Sequence, residues 1–232
     1  MTETSAQEEI EVRGRGSSRA QSVFEVLRAE IVQVRRKPGE PLTKDEIASQ
    51  LGVSRQPVTD AIRRLEAMGL VTVIPQVSSY VSRISAADVV ESSFVRSAVE
   101  AQVVHNLASR PRLAMIDRLR TDLEDQVKAV AAVDFEAFHA ADDVFHRHMA
   151  ELAELPGIPD QITAARLHLV RIRWLGLPRP GRLALAFAEH VKVVDEIEAG
   201  RPRRAANAVA DHIRYSESEL RRLQKDQPQY FL

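Results

Sequence analysis

The sequence predicts a mainly α protein, an N-terminal winged helix-turn-helix with a small two-stranded wing followed by a C-terminal antiparallel helical bundle. Three observations carry this. Apolar residues recur at helical spacing through nearly all of the 232-residue chain. Only two short runs, Val71–Ile74 and Tyr80–Ile84, are rich in β-branched residues, with Pro75 to Ser79 between them. A short turn, Leu51-Gly52-Val53-Ser54, separates two early helices, and Gly52 suits the left-handed backbone such a turn needs.

The elements follow in order. Residues 1–18 mix Glu, Arg, Gly and Ser without apolar periodicity and are expected to form a mobile arm. From Ser22, the positions Val23, Val26, Leu27, Ile31 and Val34 keep helical spacing until Lys37-Pro38-Gly39 stops the helix. Thr43 then precedes Glu46 at capping-box spacing, and Ile47, Ala48 and Leu51 mark a short helix ending at Gly52. Ser54 is placed to cap the next helix, whose apolar face is Val58, Ala61, Ile62 and Leu65 and which closes at Gly69. The two β-branched runs form a ribbon and complete a domain over residues 19–84. From Ser85 onward the period is helical throughout, with breaks near Arg110-Pro111, Leu155–Pro159, Pro178–Gly181 and Gly200–Pro202. About six helices fit, so residues 85–232 are predicted to be the bundle.

Composition narrows the function. Lys and Arg number 32 against 33 Asp and Glu, a net charge of −1, so the chain as a whole is no basic nucleic-acid coat. A local basic set, Arg13, Arg15, Arg19, Arg28, Arg35, Arg36 and Lys37, is offset by acidic residues of the first eleven positions. Aromatics make up 5%, too few for base stacking to be the main chemistry. With no cysteine there is no disulfide, zinc finger or thiol nucleophile, and any metal must be held by nitrogen and oxygen. The longest stretch without a charged side chain, Ala67 to Ser82, contains Gly69 and Pro75, so no membrane span is expected. The first residues lack the apolar core of a signal peptide, which points to a cytoplasmic protein.

Recognition helices present their N-terminal residues to base edges. Here Arg55 is able to read guanine and Gln56 adenine, while Ser54 and the helix N-terminus suit a phosphate. The run from Lys37-Pro38-Gly39-Glu40-Pro41-Leu42 through Glu46-Ile47-Ala48 and Leu51-Gly52-Val53-Ser54-Arg55-Gln56-Pro57-Val58 resembles the GntR family of bacterial transcription regulators. The match continues through Ala61-Ile62-Arg63-Arg64-Leu65-Glu66-Ala67-Met68-Gly69-Leu70-Val71. The resemblance implies binding to double-stranded operator DNA through Ser54, Arg55, Gln56, Thr59 and Arg63. Two departures stand out: Thr59-Asp60 replaces the usual Arg-Glu, and Val77-Ser78 occupies the wing tip in place of a basic residue and glycine.

In the second half, charges occupy core slots. Over the helix predicted from Val133 to Leu155, Phe135, Phe138, Phe145, Met149 and Leu152 mark an apolar stripe whose remaining slot is Asp142. A carboxylate facing a core is costly unless paired or bound to a cation. His146 lies one turn on, on the same face. His190 falls in register with Leu183, Phe187, Val194 and Ile197, and His212 with Ala205, Val209, Ile213 and Leu220. Three imidazoles and a carboxylate suit Zn²⁺, Ni²⁺, Mn²⁺ or Fe²⁺. By spacing alone the set stays open, because His139 and Asp143 border the same face, inward histidines are often plain core residues, and Asp142 has an arginine as an alternative partner. His105, His148 and His168 read as surface or packing residues.

Asp142-Asp143-Val144-Phe145-His146 is similar to the Asp-x-x-Phe-His signature of the FadR C-terminal ligand-binding domain, and Glu189-His190 and Asp211-His212-Ile213 match its two later motifs. That resemblance implies a divalent metal, zinc first, on Asp142, His146, His190 and His212. Arg96 and Glu100 resemble the Arg-x-x-x-Glu that opens that domain, which makes Arg96 a candidate for the carboxylate of a small organic-acid effector. A structural Arg96–Glu100 pair is the competing expectation. Leu155 departs from the Asn that many members carry before the proline. The expected protein is a homodimeric, metabolite-responsive transcription regulator, not an enzyme. Its rivals are a metal-dependent hydrolase or lyase with Asp143 or His139 as base, which leaves the first domain unexplained, and a regulator whose metal is purely structural.

Overall fold

In a computed structural model, which describes residues 19–159, 167–176 and 178–232, the chain divides into two compact units. One holds the described residues up to Ser85 together with Gln227–Leu232, and the other is Ala86–Asp226. The expected arm at 1–18, with Arg13 and Arg15, lies outside the described residues.

The first unit contains α1 (Arg19–Val32), β1 (Pro41–Leu42), α2 (Lys44–Leu51), α3 (Arg55–Ala67), β2 (Val71–Ile74) and β3 (Ser78–Val81). Its core is the face the periodicity marks: Val23, Leu27, Ile31, Ile47, Val58, Ile62 and Leu65 are all buried. Fully burying such a side chain contributes roughly 1.5–3 kcal/mol. Gly52 closes α2 at φ 63°, in the left-handed region, with its N–H directed to the carbonyls of Ala48 and Ser49. The α2–α3 turn therefore forms as the sequence requires. Neither expected side-chain cap does: Thr43 and Ser54 occupy the N-cap positions with extended backbone but make no side-chain capping hydrogen bond.

The ribbon gains a strand. β2 and β3 pair antiparallel, Val71 with Val81 and Ile74 with Ser78, and the two residues of β1 add to the other edge of β3, giving the order β1-β3-β2. The run after Gly39 was too short to read as a strand, yet Gly39 N–H donates to the Val81 carbonyl and Val81 N–H to the Glu40 carbonyl. Val77 stands exposed at the turn of the wing. The chain end also joins this unit, because Phe231 bridges Ile84 in parallel and both are buried. The sequence reading, which assigns 85–232 to one domain, does not anticipate that return.

The second unit has, among the described residues, six helices: α4 (Ala86–Ser109), α5 (Leu113–Ala132), α6 (Phe135–Leu152), α7 (Leu167–Gly176), α8 (Arg182–Glu198) and α9 (Pro202–Asp226). Short connections fold α4 to α6 back on one another, as they do α8 and α9. The core joins Val103, Val104 and Leu107 of α4, Leu119 of α5, Phe145 and Met149 of α6, Val194 and Ile197 of α8, and Val209 and Ile213 of α9. Gly176 lets α7 approach α9 closely, since a Cβ there would lie 2.6 Å from Glu219 Cγ. No helix of the described residues is long and apolar enough to cross a membrane.

Helix α6 starts at Phe135, later than the predicted Val133, because Val133 instead ends α5 and Asp134 caps α6 by accepting from the Ala137 N–H at 2.9 Å. Val133 adopts φ 54°, a left-handed conformation that a β-branched residue resists, and its side chain is exposed. Replacing Val133 with Gly should stabilise the protein by about 1 kcal/mol, the lost strain exceeding the added freedom of the unfolded chain. Thermal unfolding should show a midpoint raised by roughly 2–4 °C; a lowered midpoint would mean that Val133 is not strained.

Candidate metal centre

The stripe of α6 turns Asp142 and His146 inward beside Phe138 and Phe145, and both polar side chains are buried. His190 of α8 is fully buried, and His212 of α9 closes the group with a side chain 9% exposed. One ligand atom from each of these four residues lies within 4.8 Å of every other. His190 Nε2 is 3.1 Å from His212 Nε2 and 3.6 Å from Asp142 Oδ1, and His146 Nε2 is 3.9 Å from Asp142 Oδ2. Donors about 2.0–2.2 Å from one ion stand at comparable separations from each other.

The outward nitrogen of each imidazole faces an acceptor. Glu189 Oε2 is 2.7 Å from His212 Nδ1, Gln126 Oε1 is 2.7 Å from His190 Nδ1, and Glu100 Oε2 is 2.6 Å from His146 Nδ1. For His190 and His212 an acceptor there holds the proton on Nδ1 and leaves Nε2 as a bare lone pair, whereas the His146–Glu100 approach is a charge contact without hydrogen-bond geometry. In that tautomer His190 and His212 aim two lone pairs at each other across 3.1 Å, and neither ring nitrogen of buried His146 has a hydrogen-bond partner. A cation among them resolves that repulsion. The donor set fits a divalent ion.

The acceptors are themselves held. Arg96 Nε donates to Glu100 Oε1 at 2.6 Å, and Arg182 donates to both oxygens of Glu189 at 3.0 and 3.1 Å. Burial would raise the Glu100 carboxyl, but Arg96 and His146 hold it far below its usual range. Burial likewise opposes ionisation of Asp142, and Arg173, His146 and His190 nevertheless keep it ionised. Burial lowers His190 and His212, with neighbouring imidazoles acting in the same direction.

His139 and Asp143 do not join the cluster. His139 stacks on Trp174 with ring centroids 4.1 Å apart, and burial and Arg173 lower it to about 3. Asp143 is half-exposed, 3.6 Å from Arg173 Nη1. His148, expected to be a bystander, pairs with buried Asp122 at 2.8 Å. His168 lies 3.6 Å from Asp88. Arg96 satisfies the structural expectation through Glu100, and it also lines a cavity shared with Asp142, Arg173, Arg182, His212 and Glu219. Gln126, Arg173 and Arg182 were not foreseen. Arg173 lies on α7, which lacks a clear apolar face, and the partners of Gln126 and Arg182 come from distant helices.

In the first unit, Ser54, Arg55 and Gln56 are exposed at the start of α3, Thr59 is half-buried one turn on, and Arg63 is exposed. Arg55 pairs with Asp45 at 2.7 Å, Gln56 Nε2 donates to Asp60 Oδ1, and the Thr59 hydroxyl donates to the Arg55 carbonyl. Of the basic set, Arg36 is held by Glu30 at 2.6 Å and Glu40 at 3.6 Å.

Comparison with known proteins agrees with this architecture. The FCD domain family matches residues 91–215, and the family of bacterial regulatory proteins named gntR matches residues 19–81. An HTH-type transcriptional regulator in an unstable DNA locus of Streptomyces ambofaciens is 30% identical over 93% of this chain and 91% of its own. The HTH-type transcriptional repressor RspR of Escherichia coli K12 is 26% identical over 91% of this chain and 92% of its own. Two solved structures share the fold. A GntR regulator from Rhodococcus sp. RHA1 aligns with a TM-score of 0.71 at 21% identity, covering 88% of this chain and 98% of that one. Escherichia coli McbR/YncC aligns at 0.70 and 18%, covering 88% and 97%.

The depressed histidines set a pH dependence. Each binds a proton more weakly folded than unfolded, so its contribution is complete above the unfolded value of 6.5 and is lost as pH falls below it. For His139, at about 3 against 6.5, the loss between pH 7 and pH 5 is about 2 kcal/mol. Urea unfolding of metal-free protein should show at least that decrease, whereas equal stability at the two pH values would mean that His139 is not buried in its neutral form.

Proposed function

The chain belongs to the GntR family of bacterial regulatory proteins and carries an FCD domain, and from that premise we propose that it is a metal-containing, effector-responsive transcriptional repressor. Repression follows the named activity of the Escherichia coli relative. Residues 19–84 would read operator DNA, residues 85–232 would bind effector and pair two copies, and residues 1–18 would act as an arm. A homodimer presents two α3 helices to a pseudo-palindromic operator, with Ser54, Arg55, Gln56, Thr59 and Arg63 as the contacting set. Such a protein works in the cytoplasm.

One observation carries the metal assignment: three histidines, two with Nδ1 tied to an acceptor and the third beside Glu100, gather around one buried carboxylate. Asp142, His146, His190 and His212 would hold the ion, with zinc best matched to three nitrogens and an oxygen and nickel, manganese and iron also served. A divalent ion there supplies a Lewis-acidic anchor for a carboxylate oxygen. Arg96, buried and lining the same cavity, offers a guanidinium to that acid. Glu100, Gln126 and Glu189 orient the imidazoles. Effector binding then biases how the two reading heads are held, a coupling typically worth 1–3 kcal/mol. The hydrolase or lyase reading gains nothing from the structure, because both nominated bases, His139 and Asp143, face Arg173.

Two measurements test this. Operator selected from a random-sequence library should lose or gain roughly 5–150-fold in affinity when an organic acid from a screened panel binds. Prior removal of metal by a chelator should abolish that response; an unchanged response would overturn the metal-linked mechanism. Replacing Gln126 with Ala should weaken zinc binding by about 10–100-fold, since only its oxygen orients His190. Calorimetric titration of the stripped protein checks this, and unaltered affinity would remove Gln126 from the site.

A further inference from the structure

Arg173 is the cavity's unusual cation. The other charged groups on the wall have partners outside the ligand set: Arg96 with Glu100, Arg182 with Glu189, and Glu219 with Arg179 and Arg222. Arg173 instead spends its hydrogen bond on a proposed ligand, donating from Nη2 to Asp142 Oδ2 at 2.5 Å. Arg173 also lies 3.4 Å from His139 Nδ1 and 3.6 Å from the half-exposed Asp143.

We propose that Arg173 is the counter-ion of Asp142 in the metal-free chain, is released when a divalent cation takes that carboxylate, and then anchors the second acid group of the ligand, so that the cavity selects a small dicarboxylate. This rests on the metal assignment above. Charge balance leads to it. Without an ion, Asp142 and Arg173 cancel. With one, Asp142 offsets only half of the cation's charge, and the guanidinium of Arg173 is left without its partner. Two positive charges then sit among largely buried side chains, where uncompensated charge is costly. A monocarboxylate neutralises one of them and a dicarboxylate both. A second, independent feature points to an acidic ligand: Arg96 is 2% exposed and lines this cavity, and its Nη2 is buried without a hydrogen-bond partner. Two guanidiniums, one planar fork each, thus stand ready for carboxylate oxygens.

The test uses the full chain, stripped and then titrated with zinc, and afterwards with matched acid pairs from malonate to adipate against monocarboxylates of equal length. For the best-fitting length, the wild type should bind the dicarboxylate at least about 10-fold more tightly, the size of one charge-assisted hydrogen bond. Arg173→Gln should lose that preference while keeping its monocarboxylate affinity. Its zinc affinity should equal or exceed that of the wild type, because a competitor for Asp142 is gone. Arg173→Lys, which keeps the charge but not the fork, should retain part of the preference and serves if the glutamine variant fails to fold. A dicarboxylate preference that survives in Arg173→Gln, no preference in the wild type, or zinc affinity about 10-fold weaker in the variant would each overturn the proposal. Failure of the wild type itself to take up zinc would overturn the metal assignment with it, a pattern distinct from the other three.

Discussion

Lone pairs do not converge in a dry protein interior without positive charge among them. That constraint organises the helical unit. Asp142, His146, His190 and His212 come from α6, α8 and α9, and the acceptors that fix the imidazoles come from α4, α5 and α8. Five of the six described helices therefore contribute a polar group to one small volume. Hydrophobic packing around Phe145, Val194 and Ile213 brings these helices together and sets the rotation of each, and that rotation turns the polar groups into one volume.

The same volume explains why the surrounding charges are paired as they are. Glu189 accepts from the His212 imidazole on one side and from Arg182 on the other, and Glu100 accepts from Arg96 and lies 2.6 Å from His146 Nδ1. A carboxylate between an imidazole and a guanidinium stays ionised despite burial, so it remains an acceptor and keeps the histidine in one tautomer. Arg96 and Arg182 thus act on the cluster through an intermediate while presenting their flanks to the cavity. Groups that position the cluster and groups that line the cavity are thus the same side chains.

Much of this was legible in the chain. The apolar slots of α6, α8 and α9 set Asp142, His146, His190 and His212 apart as polar residues on core faces, but spacing left His139 and Asp143 beside them, and the resemblance to the FadR C-terminal domain supplied the set of four. The choice between Asp142 and its neighbours Asp143 and His139 was not periodic information; it depends on the rotation of α6, which only packing decides. Arg173 was out of reach for a related reason, since α7 shows no clear amphipathic face and its partner lies 31 positions earlier in the chain. In the first unit the turn at Gly52 was plain from residue types, while β1 was not, because two residues carry no alternation and owe their strand to β3. The capping box failed for a local reason: Thr43 has the right neighbours and the right backbone, but its hydroxyl makes no capping bond.

The bridge between Ile84 and Phe231 has a topological meaning. With the last six residues folded into the first unit, the helical unit is spliced into its companion rather than strung after it. Its first helix, α4, begins directly after one splice point and its last, α9, ends directly before the other, and these two helices pack along each other. The two units are therefore joined by two chain crossings, one after Ser85 and one after Asp226. The same splice means that a fragment ending at residue 85 would lack a segment belonging to its own fold.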